Sequence, residues 1–315
     1  VLNPIHLRTL RECVRTGSFA EAARELGYTA SAVSQQMILL ERSVGAALFE
    51  RSARSVRPTA VAAQLAERSG AALGALSTLE REVRAMVRGE AGSLRLASFA
   101  TANARIVPTA LAAVVAARPN AEVQLDEGEP DEVLDGVLDG ALDAAVVFDY
   151  DRDPRDWPVE LRRAQLLAEP FALAVAPEHR LAESAKSTGG TGSAGSTGST
   201  EVDLAQAAGE TWICTRADTS GARSLVRLAA EAGFAPRIVF RSNDYGVVRE
   251  LVARNLGVAM LPALAWPDGG VSTLRLTGRQ PYRRVLVLYR PNNTNPMLPL
   301  ALDCLKHACA EFHWD

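Results

Sequence analysis

Between residues 17 and 41 the chain reads GSFAEAARELGYTASAVSQQMILLE, and it gathers Thr29, Ser31, Ser34, Gln35 and Gln36 within eight positions. Glutamine pairs two-pronged with adenine, and serine and threonine hydroxyls serve either a base edge or a phosphate. Ten residues on, Arg51, Arg54 and Arg57 recur at intervals of three. Guanidinium groups so spaced on a hairpin reach phosphates or a narrow minor groove. A third group sits where strands give way to helices. Ser98, Thr101 and Asn103 follow one apolar run, Thr215 and Arg216 follow another, and Ser242 and Asn243 follow a third. Hydroxyls and free N–H groups at a helix start suit a carboxylate or other anion, and Arg216 offers a fork for such a carboxylate. Phe148 and Tyr245 are candidates for an apolar wall beside them.

Catalytic patterns are missing from this inventory. The chain has no phosphate-binding loop, no GxSxG and no HExxH, and His6, His179, His307 and His313 are scattered. Asp126, Glu127, Glu129, Asp131 and Glu132 read as solvated surface and helix-dipole complementarity. Cys13, Cys214, Cys304 and Cys309 show no metal-ligand spacing. We therefore expect a protein that is not an enzyme, with no metal and no cofactor.

Elements must hold these side chains in place. Ser18 and Glu21 form the pattern of a capping box after Gly17. A small residue (Ala23), a glycine (Gly27) and an apolar anchor (Val33) then meet the needs of a helix-turn-helix. Val33, Met37 and Leu40 make the inward stripe, which leaves the polar residues outward at the N-terminal end of the second helix. From Thr59 to about Arg88 runs one long helical pattern. In it Leu65, Ala72, Leu76, Leu79, Val83 and Met86 follow a 3.5-residue repeat, the spacing of a helix-on-helix seam. Beyond residue 93, apolar strand patterns at 93–99, 121–127 and 142–148 alternate with helical ones near 104–117 and 130–139. Strands at 171–177, 211–215, 236–242 and 257–262, with helices at 219–232 and 244–254, repeat the theme. The alternation predicts βαβ units, a mainly parallel sheet and two α/β units with a cleft between them. Residues 184–200 are Ser, Thr or Gly at 14 of 17 positions, which predicts a mobile surface loop.

Composition agrees with a polyanion-binding module on an acidic body. Residues 1–90 hold 12 Arg against 9 Glu, whereas the remainder holds 22 basic against 28 acidic residues. No apolar run is long enough for a membrane span, and the start lacks the features of a secretory signal, so a cytoplasmic location is expected.

The stretch SFAEAARELGYTASAVSQQMILLERSVGAALFERSARSVRPT resembles the winged helix-turn-helix of LysR-type transcriptional regulators, through Ser18-Phe19, Ala22-Ala23, Val33-Ser34, Leu40-Glu41, Gly45, Leu48-Phe49, Arg51 and Thr59. Ala30 departs from it, standing where many members carry a DNA-contacting glutamine; Ile38, Ala62 and the 184–200 tract depart as well. The resemblance implies an α+β multidomain chain. It has a winged helix-turn-helix over 1–58, a linker helix over 59–89 and a periplasmic-binding-protein-like effector-binding domain over 90–315. Within the last, subdomain I takes about 90–162 and 270–315, and subdomain II about 163–269. It implies binding of promoter or operator duplex DNA through Ser18, Thr29, Ser31, Ser34, Gln35, Gln36, Arg51, Arg54 and Arg57. It also implies a small-molecule effector, an organic acid or amino acid, held by Ser98, Thr101, Asn103, Thr215, Arg216, Ser242 and Asn243. Linker helices that pair into dimers or tetramers, and contact with RNA polymerase, belong to the same expectation. A thiol redox sensor built on Cys214 is the alternative, because some relatives sense peroxide through a cysteine pair.

Overall fold

The computed structural model describes residues 1–51, 56–88, 92–188, 201–266 and 269–314; among these, the side chains of 51, 56, 81–82, 84–88 and 186–188 lie outside the description. The chain begins with three short helices, α1 (Pro4–Thr16), α2 (Phe19–Glu25) and α3 (Ala30–Val44). Asn3, Ser18 and Thr29 cap their N-termini through side-chain oxygens. The predicted capping box is only half formed. Ser18 accepts from the Glu21 N–H, but its own N–H donates to Thr16 Oγ1, and Glu21 turns instead to Arg24. Gly27, between α2 and α3, and Gly45, after α3, hold left-handed φ angles of 69° and 74°. Val33, Met37 and Leu40 are wholly buried against Leu7, Leu10 and Cys13 of α1.

The wing is a two-stranded antiparallel ribbon, β1 (Phe49–Arg51) and β2 (Val56–Pro58). Glu41 Oε1 accepts the N–H groups of Leu48 and Phe49, fastening the ribbon to α3. Phe19 meets Phe49 edge-on at 5.0 Å between ring centroids. Thr59 donates to the Ala47 carbonyl and accepts from the Ala62 N–H, so one hydroxyl closes the wing and starts the next helix. That helix, α4 (Ala60–Arg88), buries Ala62, Ala66, Ser69 and Leu73 on one face, with α1 packed against it. Its other face leaves Leu76, Leu79 and Val83 between 40% and 55% exposed.

The remaining strands are β3 (Ser93–Ser98), β4 (Glu122–Glu127), β5 (Ala144–Tyr150), β6 (Arg162–Val175), β7 (Glu201–Val202), β8 (Thr211–Cys214), β9 (Arg237–Arg241), β10 (Ala259–Pro262), β11 (Ser272–Leu276) and β12 (Tyr282–Tyr289). The helices are α5 (Ala100–Arg105), α6 (Val107–Ala117), α7 (Pro130–Leu138), α8 (Arg180–Thr188), α9 (Ser220–Glu231), α10 (Tyr245–Ala253) and α11 (Met297–Glu311). The sheet order is β4-β3-β5-β12-β6-β11-β7, with β10 also on β6, while β8 and β9 pair separately.

The mainly parallel sheet is corrected to a mixed one. The strand–helix–strand units do pair in parallel, as β3 does with β4 and β5, and β8 with β9. The ladders on β6, and that between β5 and β12, are antiparallel, because β6 and β12 carry the chain between units rather than through a helical crossover. The strand expected at 171–177 is the far end of 14-residue β6. That strand pairs with β12 up to Pro170 and with β10 and β11 beyond it. The predicted helix at 104–117 divides into α5 and α6 at Ile106, just before Pro108. Residues 184–188 of the expected loop are helical, continuing α8; residues 189–200 lie outside the described residues.

Strand β5 is buried at all seven positions, as expected for a strand with helices on both faces. Ala144, Val146, Phe148 and Tyr150 face one core with α6 and α11, and Ala145 and Val147 face another with α7. Helix α4 docks on this half. Gly140, with φ 75°, approaches so closely that a Cβ there would sit 2.7 Å from Gly74 Cα. Ser77 Oγ donates to the Gly140 carbonyl at 3.1 Å. Arg11 of α1 pairs with Asp139 at the end of α7.

Candidate functional site

Two surfaces carry the polar residues singled out in the sequence. The first is the exposed edge of α3. Thr29, Ser31 and Gln35 are exposed and Ser34 is half-buried. Thr29 Oγ1 accepts from the Ala32 N–H and lies 3.0 Å from Ser31 Oγ, so it is committed first to capping. Gln36 departs from this set. It is half-buried, and its Oε1 accepts from Thr9 Oγ1 at 2.5 Å, so it ties α3 to α1 rather than standing free at the tip. Helical spacing explains the change, since Gln36 follows Val33 by three and turns toward the buried face. Arg57 is exposed on β2 opposite Glu50; Arg51 lies on β1 with its side chain undescribed, and Arg54 falls outside the described residues.

The second surface is a cleft of about 200 Å3 between the two α/β units. Thr101, Thr215, Arg216 and Asn243 line it, as do Phe148 and Tyr245. Asn243 Oδ1 accepts the Arg216 N–H at 3.0 Å, which joins the edges after β8 and β9. Ser98, Asn103 and Ser242 are not brought into it. Ser98 is fully buried at the end of β3, with its Oγ unpartnered. Asn103 turns to the Ser98 carbonyl and Glu127, and Ser242 Oγ accepts the Asp244 N–H. Their strand-to-helix positions fix the depth of each residue but not the direction of its side chain.

The floor of the cleft escaped the sequence reading. Arg283 of β12, 1% exposed, donates through Nε to Glu169 Oε1 at 2.6 Å and through a terminal nitrogen to Thr101 Oγ1 at 2.8 Å. Its guanidinium lies 4.8 Å from the ring centroids of both Phe99 and Phe148. Burial opposes its charge, but Glu169 and the hydroxyls of Tyr150 and Tyr245 hold its pKa above the ordinary arginine value. Glu169 Oε2 accepts the Leu264 N–H at 2.7 Å. One carboxylate thus joins β6, β12 and the segment after β10. The available signal was an arginine in phase with Val285 and Val287 on an apolar strand.

In the acidic cluster Asp126, Glu127, Asp131 and Glu132 are exposed, with Asp131 and Glu132 in the first turn of α7 as expected, and Glu129, Asp131 and Glu132 also line the cleft. Glu129 and Glu132 form a reciprocal capping box at the start of α7. Arg155 grips both oxygens of Asp131. Burial pushes the Glu129 carboxyl up, against the pull of Arg283 and Arg216.

Cys214 is buried at the end of β8 and its thiol is pushed up by burial. Cys309 is pushed up to about 12 by burial. Among the described residues no group of three or more His, Cys, Asp or Glu is placed to hold a metal, and no helix is long and apolar enough to cross a membrane.

The comparisons agree with this geometry. Residues 5–63 match the model of the bacterial regulatory helix-turn-helix protein, lysR family, and residues 87–189 and 193–310 match that of the LysR substrate binding domain. The transcriptional regulator CbbR of Xanthobacter flavus is 29% identical over 314 residues, covering 97% of this chain and 88% of CbbR. The small neutral protease regulatory protein of Streptomyces coelicolor is 30% identical over 262 residues, covering 82% and 76% of the two chains. Among solved structures, full-length CbnR complexed with its target DNA has a TM-score of 0.53 at 23% identity, covering 98% of this chain and all of that one. A full-length OxyR variant of Pseudomonas aeruginosa has a TM-score of 0.59 at 20% identity, covering 99% and 95%; both likenesses speak for the fold alone. With matched models spanning most of its length, a DNA-reading module at one end and a cleft-bearing domain at the other, the chain belongs to the LysR family of transcriptional regulators.

Proposed function

We propose that this regulator binds operator DNA as a dimer or tetramer through the α3 edge and the wing, and that a small molecule in the cleft changes the spacing of its DNA-binding modules. It is read as a cytoplasmic regulator without catalytic activity, working beside RNA polymerase. The observation that carries this reading is the joining, in one chain, of an outward polar helix to a polar cleft through α4. That helix docks on the cleft-bearing half through Gly140 and Ser77. A switch then needs only an effector that binds two arrangements unequally. The test is a salt titration of the full chain against DNA upstream of its own coding region, with and without small carboxylates and amino acids. Selective binding that shifts with one compound is the expected result. Equal binding to random DNA, collapsing with salt, counts against the reading.

Dimerisation is inferred from the face of α4 that this chain leaves uncovered. Leu76, Leu79 and Val83 continue the 3.5-residue seam, and a second copy of α4 would bury them. Leu79→Glu is expected to lower the molar mass seen by light scattering to that of a monomer at micromolar concentration. It should also weaken operator binding at least ~10-fold, since the two half-sites would no longer be bound together. An unchanged mass would remove α4 from the interface.

A thiol switch finds little support at Cys214. Its burial disfavours the thiolate, the form that reacts with peroxide. Cys304 and Cys309 share α11 but sit about 140° apart around it.

A further inference from the structure

The walls of the cleft differ in chemistry. On the α7 side stand Glu129, Asp131 and Glu132. Asp131 is neutralised by Arg155, whereas Glu129 and Glu132 form no ion pair among the described residues. On the opposite side α9 begins, with Ser220 and Gly221 on the cleft. The first N–H groups of a helix have no intrahelical acceptor and carry the positive end of its dipole. Arg216 stands on the same side, its ion pairing among the described residues being an exposed 3.6 Å contact with Asp218. A solvated contact of that kind leaves the guanidinium available to a ligand. The floor adds no net charge, because Arg283 is paired with Glu169.

The cleft therefore has an acceptor wall and a donor wall. A polyanion would lie beside two carboxylates that form no direct ion pair among the described residues, Glu129 feeling only the longer-range pull of Arg283 and Arg216, and a simple acid would leave both without a partner. Behind Tyr150, Thr215, Gly221 and Tyr245 opens a smaller cavity of about 30 Å3, lined mostly by apolar groups such as Phe171, Ile213, Leu225 and Met260. That volume suits a side chain of about one methyl group.

We propose that the ligand of this cleft is a zwitterion, a small α-amino acid with a short apolar side chain. Its ammonium group faces Glu129, its carboxylate is held by Arg216 and the start of α9, and its side chain points past Tyr150. This rests on the reading of the cleft as the effector site.

The test is calorimetric titration of the full chain with L-alanine and L-2-aminobutanoate, with their counterparts lacking the amine (propanoate and butanoate), and with a sugar phosphate. At least one amino acid should bind, and removal of its amine should cost at least ~10-fold in affinity. Glu129→Gln keeps an oxygen for the Glu132 N–H and so preserves the cap. It should weaken the amino acid at least ~10-fold while leaving the amine-free acid unchanged. Amino-acid affinity should also fall as the pH is lowered and Glu129, its carboxyl pushed up by burial, takes a proton; the Gln variant should lose that dependence. Amine-free acids or the sugar phosphate binding as tightly as the amino acids would overturn the zwitterion and leave the cleft standing as an effector site. Equal losses for both ligand types in Glu129→Gln would do the same. Binding by no member of the panel would overturn the zwitterion and also withdraw support from the cleft.

Discussion

Glu169→Ala is expected to destabilise the cleft-bearing half by about 3–5 kcal/mol, because it leaves the Arg283 charge buried and unpaired. At roughly 2–4 °C per kcal/mol for a unit of this size, the unfolding midpoint should fall by about 6–20 °C. All four tryptophans, Trp157, Trp212, Trp266 and Trp314, lie in this half, so their fluorescence follows it without a signal from the DNA-binding module. The paired replacement Glu169→Leu with Arg283→Met removes the charge problem and should recover much of the loss. Recovery should stop short of the parent, since the Leu264 N–H would still lack the acceptor that Glu169 Oε2 provides, a cost of about 1–3 kcal/mol. Single and paired variants of equal stability would show that packing, not the ion pair, decides this site. The paired variant also separates stability from signalling. If it folds and binds DNA yet no longer responds to a cleft ligand, the link from Thr101 through Arg283 to Leu264 carries the response.

Gln35→Ala should cut affinity for the cognate operator by about 5- to 100-fold, the worth of a good two-pronged base contact, while leaving random DNA almost unaffected. Gln35 is the exposed amide of α3, whereas the Oε1 of Gln36 is already engaged by Thr9. Arg57→Ala should behave differently. Its exposed guanidinium on β2 suits phosphate, so its loss should weaken all sequences alike and reduce the slope of log K against log salt by about 1. The two variants measured on one pair of DNAs over the same salt range give the answer. Equal losses on cognate and random DNA for Gln35→Ala would remove that residue from base reading. A large loss for Gln36→Ala would instead report the α1–α3 contact, and should come with lower stability.

The DNA-binding module and the order of the domains can be read from the chain without coordinates, because the signals there are local. Thr29 caps α3, Gly27 and Gly45 take left-handed φ, and Val33, Met37 and Leu40 fall on one helical face. The long helix α4 and its exposed Leu76, Leu79 and Val83 are legible for the same reason, since a periodicity needs only neighbours along one helix, whereas Leu65 of the same repeat packs on the core of the DNA-binding module. The wall of the cleft was half legible. A strand-to-helix edge located Thr101, Thr215, Arg216 and Asn243, yet it could not separate them from Ser98, Asn103 and Ser242, whose side chains turn to the core or to caps.

The floor of the cleft required the folded chain. Arg283 meets Glu169 across 114 residues and Thr101 across 182. The arginine pair opening β12 and the glutamate before Pro170 look like solvent-facing charges in a linear reading. They become one buried ion pair only because β12 enters the sheet antiparallel between β5 and β6, which places Arg283 opposite Glu169 in register. Helix and turn signals act within a few residues, whereas a buried charge survives only where the fold delivers its partner.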